Sequence, residues 1–258
     1  MSKIDNINRW YADLYDQEET DTDDVNFMLS VIGEEPKNIL EVCCGSGRIL
    51  VPLAKAGHTV TGFDVDECML GRIPQKVAGL NNISFSKADA IADHWGRNFD
   101  IVILAGNILV NIVSEINYKE AQKLFIKKAY NSLKPNGRLY IDFGCFAHPE
   151  NFFGNSEEKT IFQGTDNFGY SGKYIISDGR YDEKTQTAAF NRKIELVTKN
   201  GEKIVQESTG IKHIPTLLQV NEWLDEAGFK IINEFGDYKG NPISEETYKA
   251  IIWAEKIE

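Results

Sequence analysis

From about residue 38 onward, short apolar runs of strand length alternate with longer stretches in which apolar positions recur every three or four residues. These are the two periods that separate a pleated strand from a helix. The pattern predicts strands at Asn38–Val42, His58–Phe63, Ile83–Ser86, Ile101–Leu104 and Arg138–Phe143, and helices at Arg48–Lys55, Glu67–Val77 and Tyr118–Ser132. Such an alternation builds a parallel sheet covered by helices on both faces. Ahead of the first strand, Ile7–Tyr15 and Asp24–Ile32 read as helices, with Asp21–Asp24 offering carboxylates to the start of the second.

After Phe152 the pattern changes to strand-like segments alone. Thr160–Thr165, Lys173–Asp178, Thr187–Thr198 and Lys203–Ile211 are parted by turn-forming clusters, of which Asn200-Gly201 is the strongest hairpin signal. This predicts an inserted antiparallel sheet. A helix at Pro215–Ala227, closed by Gly228, is followed by strands Phe229–Phe235 and Tyr248–Glu255, a hairpin expected to add an antiparallel edge to the main sheet. The expected organisation is N-terminal helices over 1–37 capping the site, a Rossmann-like domain of 38–152 and 215–258, and the inserted antiparallel sheet of 153–214, serving as a lid or a homodimer surface.

Composition narrows the function. With 258 residues, 42% of them hydrophobic, the chain can bury one large α/β core together with an insertion. Its 39 acidic against 28 basic residues give a net charge of -11, which repels phosphate backbones, so nucleic acid is not an expected partner. The start, MSKIDNINRWYADLYDQEE, has no apolar signal run, and no stretch has the length and apolarity of a bilayer span, so a cytoplasmic protein with no membrane contact is expected. Cys43, Cys44, Cys68 and Cys145 form no CxxC pair, and His58, His94, His148 and His213 are scattered, so no metal is expected.

The candidate chemistry lies in Ile39-Leu-Glu-Val-Cys-Cys-Gly-Ser-Gly-Arg48, where an apolar strand runs through two glycines into a helix. There the chain must turn sharply and let a ligand approach its backbone. Asp64 ends the next strand, where a carboxylate can accept from both hydroxyls of a ribose. The GxGxxG pattern of dinucleotide enzymes fails at Leu50, and no Gly-Lys-Ser/Thr of a P-loop follows. A sulfonium nucleoside carries no phosphate and tolerates a more crowded loop than a pyrophosphate does.

The stretch ILEVCCGSGRILVPLAKAGHTVTGFDVDECML resembles motifs I to II of the class I S-adenosylmethionine-dependent methyltransferases. The resemblance continues in order through Ser86-Lys-Ala-Asp89-Ala90, Phe99–Ala105 and Leu133-Lys-Pro-Asn-Gly-Arg-Leu-Tyr140, and departs where the family commonly has glycine in place of Cys43. It implies an α/β fold with a Rossmann-like seven-stranded methyltransferase sheet, S-adenosyl-L-methionine as donor and S-adenosyl-L-homocysteine as product. The donor would be held by Tyr11, Glu41, Cys43, Gly45, Gly47, Arg48, Asp64, Val65, Met69, Asp89, Ala90, Leu104 and Ala105.

Tyr11-Ala-Asp-Leu-Tyr15 resembles the amino-terminal helix of amino-sugar N,N-dimethyltransferases and, more loosely, of glycine and sarcosine N-methyltransferases. In those families a tyrosine of this helix reaches the transferred methyl, which makes Tyr11 and Tyr15 catalytic candidates. Asn111 stands where the amino-sugar enzymes place a histidine after strand four, and asparagine orients without accepting a proton. His148, Glu150, Asn151 and Asp142 are substrate candidates around strand five, their carboxylates suited to a cationic amine. The leading expectation is methyl transfer to an amine nitrogen of a small molecule. The alternatives are transfer to a natural-product hydroxyl and a non-catalytic protein that senses the donor, with a nicotinamide enzyme last.

Overall fold

The computed structural model describes residues 2–112 and 114–257. The chain divides into two compact units, Thr22–Ala147 with Pro215–Glu258, and Met1–Asp21 with His148–Ile214.

The larger unit holds a seven-stranded sheet of β1 (Asn38–Val42), β2 (Thr59–Asp64), β3 (Ile83–Lys87), β4 (Phe99–Leu104), β5 (Leu133–Gly144), β10 (Phe229–Phe235) and β11 (Lys249–Lys256). Their order is β3-β2-β1-β4-β5-β11-β10. β1 to β5 pair in parallel, as in Leu40↔Thr61 and Leu40↔Val102. The central strands read as unbroken apolar runs because helices cover both faces. On one side α2 (Asp23–Ile32) and α3 (Leu50–Lys55) join a core of Met28, Ile32, Ile39, Leu53, Ile103 and Trp253. α6 (Tyr118–Ser132) packs against β4, β5 and α8 (Leu217–Ala227), and its Phe125 meets the Trp95 ring edge-on at 5.3 Å.

The structure refines the pattern read in the sequence at several points. The final hairpin does lie at the edge, but β11 is threaded inside it, antiparallel to both β5 and β10. Ala250-Ile-Ile-Trp-Ala254 is wholly buried, whereas β10 exposes Lys230, Asn233 and Glu234, so only β10 tolerates an edge. The helix expected over Glu67–Val77 stops early. Its α-helical part, α4, is Glu67–Leu70, and Pro74 opens a short 3-10 turn to Lys76, since proline has no N–H for a continuing helix. α5 (Ile108–Asn111) and α7 (Pro149–Phe153) are single turns too short to leave a periodic signal.

The smaller unit holds an antiparallel sheet in the order β6 (Lys159–Thr165), β7 (Ser171–Asp182), β8 (Thr187–Val197) and β9 (Lys203–His213). α1 (Lys3–Glu18) lies on one face of it, with Ile7, Trp10 and Leu14 against Phe162, Leu196 and Ile204. The helix starts at a capping box in which Asp5 N–H donates to Ser2 Oγ at 3.1 Å and Ser2 N–H donates back to Asp5 Oδ2 at 2.7 Å. It is tied to the sheet by Trp10 Nε1, which donates to the Gly164 carbonyl at 3.2 Å, and by Asp13, which accepts from the Asn167 amide side chain at 2.8 Å.

Gly62, in the middle of β2, tests the packing of the larger unit. A Cβ there would lie 2.8 Å from Cys44 Sγ and 2.7 Å from Leu50 Cδ1. Gly62→Ala is expected to destabilise the protein by roughly 1–3 kcal/mol, seen as a lower midpoint in urea or thermal unfolding. An unchanged midpoint would contradict the packing.

Candidate functional site

The geometry of the site begins where β1 ends. Cys43 turns the chain in the left-handed region at φ +58°, where L side chains crowd their own backbone, and this is the physical reason glycine is common there. Gly45 and Gly47 follow at φ +52° and +80°. A Cβ at Gly45 would meet nothing within 4 Å, so its backbone is open to a ligand, whereas one at Gly47 would press on Ile73 at 3.1 Å and Val51 at 3.2 Å. One glycine serves approach; the other serves packing. Cys44 is tied to β2 by its N–H on the Phe63 carbonyl at 2.9 Å. Burial pushes both thiols up, so neither Cys43 nor Cys44 is a nucleophile at neutral pH.

Asp64 ends β2 and holds the loop, with Oδ2 accepting from Gly45 N–H at 2.9 Å and Oδ1 from Asp66 N–H at 2.8 Å. Burial raises its carboxyl, and the N–H donors of Asp66 and Gly45 pull it back down. Next to it Val65 is 60% exposed and Met69 half-buried, an apolar edge beside a hydrogen-bonding one, which suits a nucleoside. Asp89 opens the turn after β3 and accepts from Ile91 N–H at 2.7 Å. The Ala90 carbonyl takes two donors, Trp95 Nε1 at 3.0 Å and Lys128 Nζ at 2.8 Å. Leu104 ends β4 buried, and Ala105 leads into the turn at Asn107. All these residues lie at the carboxyl ends of β1 to β4, around the β1–β4 neighbourhood where strand order reverses.

Behind the loop lies a set of buried charges. Glu41 is 4% exposed, its Oε2 has no hydrogen-bond partner among the described residues, and burial raises its carboxyl well above the usual range, opposed by the Arg48 charge. Arg48 closes a two-pronged ion pair on Asp24 of α2, at 2.8 and 2.5 Å. The guanidinium thus clamps a helix to the loop, and the sequence showed Asp24 only as one of several acidic residues at a helix start. An orphaned carboxylate oxygen beside an open glycine backbone fits the ammonium group of S-adenosylmethionine, as Asp64 fits its ribose.

Asp142 is fully buried, so in this structure it is not open to a substrate. It accepts from Asn107 N–H at 3.0 Å and from the Tyr238 hydroxyl at 3.2 Å, and Tyr238 is in turn bonded to Lys249 Nζ. Asn107 sits at φ +61° and accepts from Gly144 N–H through Oδ1 at 2.8 Å. This chain braces the turn after β4. Tyr238 and Lys249 lie far along the sequence, with no local signal to mark them. Asn111 ends α5 exposed, its N–H on the Asn107 carbonyl at 3.1 Å.

The remaining candidates belong to the smaller unit. Tyr11 meets Phe162 edge-on at 5.3 Å and Tyr174 at 6.1 Å, and burial pushes its hydroxyl up to about 12. Tyr15 is half-buried one turn further on. His148 and Glu150 pair at 3.2 Å on an exposed turn that also carries Asn151. Among the described residues, no group of three or more His, Cys, Asp or Glu could hold a metal ion, and no helix is long and apolar enough to cross a membrane.

The family described as methyltransferase domain matches residues 39–137. YqeM of Bacillus subtilis, a methyltransferase by name, is 34% identical over 113 residues, 42% of this chain and 42% of that protein. A second methyltransferase by name, from Geobacillus sp. (strain WCH70), is 25% identical over 222 residues, 85% of each chain. The chain thus spans less than half the length of the first relative and most of the second. Among solved structures, an S-adenosylmethionine-dependent methyltransferase from Clostridium acetobutylicum superposes with a TM-score of 0.75 at 14% identity, covering 96% of this chain and 98% of that one. The sugar N-methyltransferase KedS8 from Streptoalloteichus sp. superposes with a TM-score of 0.70 at 15% identity, covering 95% and 91%.

Glu41 gives the site a pH-dependent signature. Its folded-state carboxyl is raised above the usual 4.5, so its contribution to stability is complete below that value and is lost as pH rises through the folded-state value. Glu41→Gln, which cannot ionise, is expected to gain melting temperature relative to the native protein as pH rises above 4.5, while its affinity for S-adenosylhomocysteine falls about tenfold or more. A melting-temperature difference that is flat with pH would contradict the buried carboxyl. Residues 39–137 thus match a methyltransferase domain, and the ordered motifs together with the sheet order, β11 reversed between β5 and β10, resemble those of the class I S-adenosylmethionine-dependent methyltransferases.

Proposed function

We propose that the protein transfers the methyl group of S-adenosylmethionine to an amine nitrogen of a small molecule. The observation that carries this reading is the state of the ionisable groups at the carboxyl edge of the large sheet. Asp64 is engaged by Gly45 and Asp66, Asp89 by Ile91 and Ala92, and Asp142 by Asn107 and Tyr238, while Glu41 is buried behind the loop and taken by the donor's ammonium. Asn111 adds an amide and no base. A neutral amine attacks a sulfonium with its own lone pair and needs only an outlet for the proton afterwards, whereas a hydroxyl needs a positioned base at the moment of attack. The likeness to a sugar N-methyltransferase supports the reading at the level of fold.

In this mechanism the donor supplies an electrophilic methyl. Asp64 holds the ribose, Glu41 the donor's ammonium, and the open backbone at Gly45 lets the donor lie against the loop. Tyr11 and Tyr15 orient the acceptor. In Tyr11→Phe the ring contacts to Phe162 and Tyr174 survive. That variant is expected to keep its melting temperature and lose about tenfold in kcat, the worth of one oriented hydrogen bond to the reacting group.

The test is a labelled-donor assay of the purified protein against matched panels of small amines and alcohols. Methylation on nitrogen is the expected outcome. Methylation confined to oxygen would establish the hydroxyl alternative. Tight donor binding without transfer to any component of a cell extract would establish a sensor.

A further inference from the structure

We propose that the inserted sheet carries a binding pocket of its own, for a small molecule that joins an anionic oxygen group, carboxylate or phosphate, to a ring-shaped apolar body. The pocket is a cavity of about 480 Å3 within the smaller unit, between α7 with the segment after it and the strands β6 to β9. That lies in the range of small-molecule sites, roughly 300–1,000 Å3. Its apolar wall is Phe152, Phe153, Ile161, Ile176 and Phe190. Phe152 and Phe153 meet edge-on at 4.8 Å, and Phe153 in turn stacks on Tyr181 at 6.5 Å.

The charge of the occupant follows from the sheet register. Ala188 pairs with Lys212, Phe190 with Gly210, and Arg192 with both Ser208 and Ile176, so Lys212, Phe190, Arg192 and Ile176 stand on one face. Lys212 Nζ lies 5.9 Å from the Phe190 ring centre and the Arg192 guanidinium 5.1 Å, so two cations converge on one ring. Burial draws the Lys212 ammonium down to about 8, with the Arg192 charge acting in the same direction. Arg192 Nε is buried with no hydrogen-bond partner among the described residues. Two half-buried cations that converge on one ring are stabilised by an anion between them.

Gly210 is part of the design. A Cβ there would lie 2.6 Å from Arg192 Nε and 2.6 Å from Phe190 Cε2, so the bare backbone of β9 is what lets both side chains lie across it. The lining also carries Glu157, Glu158 and Lys159, all three exposed; Lys212 belongs to the lining, and Arg192 stands beside it across the Phe190 ring. The pocket is independent of the donor site and of the amine reading, because it is built from the inserted sheet and its flanking segment alone.

The test titrates the full-length protein with benzoate, phenyl phosphate, benzamide and benzylamine, followed by ligand-observed NMR. Benzoate or phenyl phosphate is expected to bind at least about tenfold more tightly than benzamide, and whichever binds better identifies the anion as carboxylate or phosphate. Lys212→Met and Arg192→Met are each expected to weaken that binding about tenfold or more, and Lys212→Arg to retain it within about threefold. An unchanged far-UV circular dichroism spectrum and melting temperature show that a variant is folded. Should Lys212→Met fail to fold, Lys212→Gln and Arg192→Met carry the comparison. Benzamide or benzylamine binding as tightly as the anions, methionine variants without effect, or no binding of any probe at about 10 mM would each overturn the proposal.

Discussion

A single hydrogen bond organises the larger unit: the Gly45 N–H donates to Asp64 Oδ2 at 2.9 Å, joining the loop after β1 to the end of β2. Two neighbouring parallel strands point their carboxyl ends the same way, so a loop leaving one can be pinned by a side chain leaving the other. The pin fixes the left-handed turn at Cys43 and keeps the Gly45 backbone open. A carboxylate that accepts from the loop on one oxygen and from its own strand end on the other is held at one orientation. A carboxylate held in this way needs no further ordering before it accepts from a ligand.

Around this pin the protein buries charge to a degree that packing alone does not require. Glu41, Arg48 and Asp24 form one group, and Asp142, Tyr238 and Lys249 a second. Each buried carboxylate is costly on its own, and each is offset by a cation or a polar hydrogen that comes from a different element. The result is that α2, the loop after β4 and the β10–β11 hairpin are all locked to the carboxyl edge of the sheet. The Glu41 Oε2 is the exception, a buried carboxylate oxygen with no hydrogen-bond partner among the described residues.

Much of this was legible in one dimension. The order of strands and helices, the glycine loop, Asp64 and the antiparallel character of the insertion all follow from periodicity and turn residues. β1 and β10 occupy the predicted residues to the last position, as does α6. What escaped the sequence falls into two kinds. α5 and α7 are single turns, below the length at which a period exists. Lys128, Tyr238 and Lys249 act through contacts with residues 38, 96 and 11 positions away, and nothing near them in the chain reports that distance.

Sequence by itself pointed to the donor, because the sharp strand-to-helix turn, the carboxylate one strand later and the ordered motifs that resemble the class I S-adenosylmethionine-dependent methyltransferases are all encoded in adjacent residues. Only the tertiary structure decided which of the acidic residues are engaged and which are open. Asp142 carries the same side chain as Asp64 and stands at the end of a strand like it, yet it is sealed beneath Asn107 and Tyr238. That difference arises from burial, and burial is a property of the packed sheet that no single strand possesses.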